Sequence, residues 1–161
     1  MRKITTVILF ILFCFVIQMM LFDLLGGWLT PNLLLLLSIF FNLSFGIRYG
    51  LLSAVVAGVL MDSFSLSPFG THIFLFAFCA FMTVILKNYL YHMGSGISRS
   101  ILVLLVCLVY VSSSLLFLLM SRPVDIAQIL KVTFIPDVLL TVLLSNSLFI
   151  YFKKCVLKSF V

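Results

Sequence analysis

The residues able to do chemistry are few. The acids are Asp23, Asp62, Asp125 and Asp137, with no glutamate. Asp62 stands in the stretch GVLMDSFSLSPFG, Gly58 to Gly70, where Ser63, Ser65 and Ser67 follow it and His72 comes just after. A carboxylate, an imidazole and hydroxyls are the parts of a nucleophilic triad, but a triad is recognised by geometry and not by spacing. Serines set in a turn offer no convincing nucleophile at a matching position, so no catalytic set is expected. The cysteines, Cys14, Cys79, Cys107 and Cys155, are scattered singly, without a C-x-x-C pair or a histidine at ligand spacing. Thiols among apolar neighbours behave as small hydrophobes. Neither a disulfide, a metal site nor a cofactor is therefore expected.

The medium explains why polar groups are so sparse. Hydrophobic residues fill 65% of 161 positions and charged ones 9%, against roughly 45–50% and 25% in a soluble domain. A single soluble core of this size could not hide that much apolar surface. Apolar runs approach the roughly 20 residues that carry a helix across a bilayer core, and LLLLL at 33–37 is incompatible with the alternation of a membrane β-barrel. The expected fold is an all-α integral membrane protein, a compact bundle of about six transmembrane helices in one domain, 1–161. The spans are read at about 4–22, 30–47, 50–65, 69–86, 100–120 and 136–152. The first resembles a secretory signal behind Arg2 and Lys3, but it is longer than a signal core and lacks a small-x-small cleavage site, so it is read as retained.

Charge gives orientation. With the N-terminus inside, Arg2, Lys3, Arg48, Lys87, Arg99, Lys153, Lys154 and Lys158 are cytoplasmic, and Arg122 and Lys131 alone lie outside. That eight-to-two asymmetry obeys the positive-inside rule and puts both termini in the cytoplasm. The net charge of +6 is thus an orientation signal with some attraction to anionic headgroups, not a nucleic-acid footprint. Between spans five and six, Asp125, Gln128 and Lys131 recur every three positions in 123–135, the pattern of either a short helix lying flat in the interface or a plain amphipathic connector.

Gly50, Ala54, Gly58 and Asp62 are spaced by four along one face of the third span, with Ser53 and Ala57 beside them. Small residues on such a stripe let a second helix approach closely, whether that helix belongs to the same chain or to a partner. A carboxylate at membrane depth costs several kcal/mol and needs a partner. Pro68 and Gly70 open the fourth helix and leave unpaired N–H groups near Thr71 and His72. Asp62 can accept from them as a structural clasp, can bind a ligand or partner helix, or can couple to protonation. Asn42 and Asn146 lie within spans, where an amide bonds another helix or a ligand. Thr30-Pro31-Asn32 and Ile135-Pro136-Asp137 start two spans alike, each placing Asn32 or Asp137 near the positive end of a helix. Ser112, Ser113 and Ser114 suit bonds back to their own helix carbonyls.

Gly50-x7-Gly58-x3-Asp62-x5-Pro68-x-Gly70, after a Pro-Asn-Leu-Leu second span, resembles the MreD family of rod-shape-determining proteins over nearly the whole chain. The family often carries Asp after the proline of span two, where this chain has Asn32. The resemblance implies a non-enzymatic subunit of the bacterial elongation machinery in the inner membrane. Its implied partners are a single-span MreC-like protein and, through it, the MreB-like filament and the wall synthases. The rival from another class is the substrate-binding membrane subunit of a vitamin-type transporter, with Asp62, His72 and Trp28 rimming an outward pocket.

Overall fold

The computed structural model describes residues 2–25, 31–65, 68–90, 96–121 and 135–160. Among these, six helices and no strand are found: α1 (Arg2–Leu24), α2 (Leu33–Phe45), α3 (Ile47–Phe64), α4 (Thr71–Leu90), α5 (Gly96–Ser121) and α6 (Ile135–Phe160). Four of them contain stretches long and apolar enough to cross a membrane: Ile4–Leu24, Ile47–Phe64, Thr71–Tyr89 and Gly96–Leu118. Trp28, Ser67 and the segment 123–134 fall outside the described residues.

The second helix departs from the expected 18-residue span. It has 13 residues, which is about 20 Å of helix against a hydrocarbon core of about 30 Å. Every residue from Leu33 to Leu43 is buried. A helix apolar all round belongs in an interior, and α2 is packed against α1, α3, α4 and α6. Its length is set by what ends it. Asn32 caps the start, its side-chain oxygen accepting from the Leu35 N–H at 3.1 Å. Gly46, with φ +89, ends it and begins α3 in a single residue. That backbone conformation favours glycine. The spans read at about 30–47 and 50–65 meet earlier than that, since Arg48 and Gly50 already belong to the first turns of α3.

Around this centre, α3 packs on α4, α4 on α5, and α5 on α6, while α1 closes the bundle against α2 and α3. Phe40 of α2 meets Phe149 of α6 ring to edge at 5.4 Å and Phe152 at a tilt at 5.5 Å. Arg99 lies over the Phe149 ring, 5.4 Å from its centre. The outward faces are apolar: Leu9, Phe13 and Met20 on α1, Leu104 and Leu108 on α5, and Leu139, Leu143 and Ile150 on α6 are exposed. In water such faces would drive aggregation, whereas lipid tails receive them without cost.

Candidate functional site

Asp62 occupies the last turn of α3. The helix ends where Ser65 turns extended (φ −90, ψ 153), its N–H still bonded to the Met61 carbonyl at 2.9 Å. Gly70, at φ +104, lets the chain swing into α4, and the Thr71 N–H and hydroxyl both donate to the Pro68 carbonyl. This turn aims the first N–H groups of α4 at Asp62. Oδ2 accepts from Gly70 N at 2.9 Å and Ile73 N at 3.2 Å. Oδ1 accepts from His72 N at 2.9 Å and lies 2.9 Å from His72 Nδ1. The carboxylate is fully buried, while the imidazole is 17% exposed. Charge-assisted bonds to helix-start N–H groups are the strong kind, and here one side chain from α3 supplies the cap that α4 lacks locally. Ser63 is not aimed at the imidazole, since its hydroxyl donates to the Val59 carbonyl at 2.8 Å. Among the described residues, no group of three His, Cys, Asp or Glu is placed to hold a metal ion.

The small-residue stripe is also consumed within the chain. Gly50, Ser53, Ala54, Ala57, Gly58 and Asp62 are all buried. A Cβ on Gly58 would lie 2.5 Å from the Ile73 Cα and 2.8 Å from its N, and one on Gly50 would lie 2.6 Å from the Asn42 Cβ. The stripe is a seam against α4 and α2 within the chain. Backbones this close leave no room for a further helix between them.

The remaining polar residues divide. Asn42 is buried and its Nδ2 donates to the Ala80 carbonyl at 2.6 Å, tying α2 to α4. Lys87 Nζ donates to the Leu43 carbonyl at 3.1 Å and so serves the short helix at its C-terminal end. Asn146 is exposed on α6, near the start of α5 at Gly96, and among the described residues it makes no hydrogen bond to another helix. Ser112 and Ser114 bond back to the carbonyls of Val109 and Val111 at 3.0 and 2.9 Å.

The two Pro-led helix starts come together at the end of the bundle opposite the basic residues. The Asn32 N–H donates to the Thr141 hydroxyl at 3.1 Å, and that hydroxyl donates to the Asp137 carbonyl at 2.6 Å. The side chain of Asn32 also pairs with the Tyr110 hydroxyl, and Gln18 Oε1 accepts from Leu34 N at 3.1 Å. Sequence reasoning missed Gln18, Tyr110 and Thr141. Gln18 had a signal, since it is the one amide in the apolar run 4–22. Tyr110 and Thr141 had none, because nothing local says that they face two other helices.

Compared with models of known protein families, residues 1–160 match that of the rod shape-determining protein MreD. The chain belongs to the MreD family. No curated protein and no solved structure matches it. Membership makes the bundle an integral membrane protein with a role in rod-shape determination, and the MreD family is one of shape-determining membrane proteins. Asp62, Gly58 and the Pro68–Gly70 turn then acquire a definite part in this member: they weld α3 to α4.

Proposed function

We propose that the protein is a non-enzymatic, multi-pass subunit of the bacterial cell-elongation complex in the inner membrane. It joins a single-span MreC-like partner, and through it the MreB-like filament, to the synthases that build side-wall peptidoglycan. The observation that carries this reading is the family match along 1–160. The geometry supports it from another side. The buried carboxylate best suited to transport or acid–base work, Asp62, is saturated by three backbone N–H groups and an imidazole, which suits a rigid scaffold. Both termini are cytoplasmic in this reading, following the basic residues. The surfaces left for a partner helix are the outward apolar faces of α1, α5 and α6, where van der Waals packing between helices drives association.

The test is affinity purification of the tagged full chain in mild detergent, with rod shape scored in a complementation strain. Co-purification of an MreC-like protein, with loss of rod shape on depletion, is expected. Recovery of an ATPase module instead would replace the scaffold with the transport reading. A reporter fused after Val161 is expected in the cytoplasm, and a periplasmic signal there would overturn the orientation.

A further inference from the structure

The basic end of the bundle carries charge that no described acid is placed to neutralise. Arg48 and Arg99 lie in the first turns of α3 and α5, and Lys153 and Lys154 near the end of α6. The described acids are all at the other end: Asp23 closes α1, Asp62 closes α3 and Asp137 opens α6. Arg99 differs from the other three cations. They are exposed, whereas Arg99 is half-buried, its guanidinium 5.4 Å from the centre of the Phe149 ring. Among the described residues it donates no hydrogen bond. A guanidinium stacked on a ring is fixed in place, and its planar fork of N–H groups matches the oxygens of a phosphate. We propose that the groove between α5 and α6 at this end binds the phosphate of one anionic phospholipid, held by Arg99, Lys153 and Asn146.

Asn146, Phe149 and Lys153 lie within about 60° of one another around α6, so they share the side on which Arg99 rests. Lys153 is one turn beyond Phe149, about 6 Å further along the axis. Asn146 is exposed beside Gly96, the first residue of α5, and its amide makes no hydrogen bond among the described residues. A guanidinium, an ammonium and an amide, all with N–H groups to give, thus border one groove. Basic pockets between membrane helices are where anionic headgroups bind. The rest of α6 says that the anion is carried by a lipid. Leu143 and Leu139 continue the Asn146 stripe at steps of three and four and are exposed, a bed for an acyl chain leading away from the phosphate. A zwitterionic headgroup suits the place less well, because it brings its own cation among Arg99, Lys153 and Lys154, where like charges repel.

The experiment is native mass spectrometry of the full chain, titrated in detergent with dioleoyl phosphatidylglycerol and dioleoyl phosphatidylcholine. One phosphatidylglycerol should be retained, about tenfold more tightly than phosphatidylcholine. Arg99→Gln and Lys153→Gln should each remove most of that preference, and Arg99→Lys, which keeps the charge but not the fork, should fall between. Arg48→Gln removes the same charge from α3, which packs on α1, α2 and α4, and should leave the preference unchanged. Equal retention of the two lipids by the unaltered chain would overturn the proposal, and that comparison depends on no variant that folds. Displacement of the phosphatidylglycerol by glycerol 3-phosphate would also overturn it, making the occupant a soluble phosphate. So would an equal loss in Arg48→Gln and Arg99→Gln, the mark of a diffuse field of charge and not of a site.

Discussion

The seam between α3 and α4 and the meeting of α2, α5 and α6 are built from the same membrane-compatible alphabet, yet they end in opposite states. At the first, glycine brings backbones so close that a single added carbon on Gly58 would fall 2.5 Å from Ile73, and the one carboxylate there is surrounded by donors. At the second, Asn, Thr, Tyr and Gln side chains hold the helices apart around a cavity of about 140 Å³. Small residues close a seam and exhaust its polarity. Mid-sized polar residues prop one open and bridge it with hydrogen bonds of their own. In a medium that gives helices no hydrophobic reason to associate, the size of the interfacial residue decides between a weld and a pocket.

The largest effect is expected where the weld is tightest. Gly58→Leu should abolish accumulation of the folded protein in membranes, and Gly58→Ala alone should cost about 3 kcal/mol or more, because the clash is with backbone that cannot turn away. Normal abundance and unfolding of Gly58→Ala in detergent would break the contrast. Next comes Asp62→Ala, which strands the N–H groups of Gly70, His72 and Ile73 at about 1–3 kcal/mol each. Asp62→Asn should fall between Ala and the parent chain, since it keeps one acceptor but turns an NH2 toward donors; ordering the three by thermal unfolding checks this.

Smaller effects should follow at the ends of α2. Lys87→Met removes the donor to the Leu43 carbonyl and should cost about 1–2 kcal/mol. Thr141→Val unlinks Asn32 from Asp137 and should cost about 1 kcal/mol. The sharpest contrast comes last. Val111→Leu adds one carbon, as Gly58→Ala does, but beside the cavity, and should change stability by under about 0.5 kcal/mol, the range of a tolerated swap. An effect as large as that of Gly58→Ala would mean that the cavity is not open space.

Composition and the four-residue spacing of Gly50, Ala54, Gly58 and Asp62 were enough to read an all-helical membrane bundle and a close-packing face, because both rest on local pattern. The turn residues Pro68 and Gly70 likewise announced where N–H groups would be free. What that face packs against was not legible: the same stripe suits a partner or the chain's own hairpin, and only tertiary placement decides. The length of α2 was hidden for a related reason. Its end signals, Pro31-Asn32 and Gly46, are present in the sequence, but nothing local says whether the apolar residues between them cross lipid or lie enclosed by other helices. The polar cluster was hidden almost entirely, since Gln18, Asn32, Tyr110 and Thr141 come from four helices and share no motif.

The short buried helix has a consequence for how the chain is made. A segment with no lipid-facing side and too few residues to cross the bilayer has no stable address there until its neighbours surround it. One of the groups that settles it, the Thr141 hydroxyl on the Asn32 N–H, lies 109 residues downstream. The second helix to leave the ribosome is thus among the last to be finished. Until α6 arrives, the Asn32 N–H lacks this acceptor and the side of α2 that meets Phe149 and Phe152 stays uncovered.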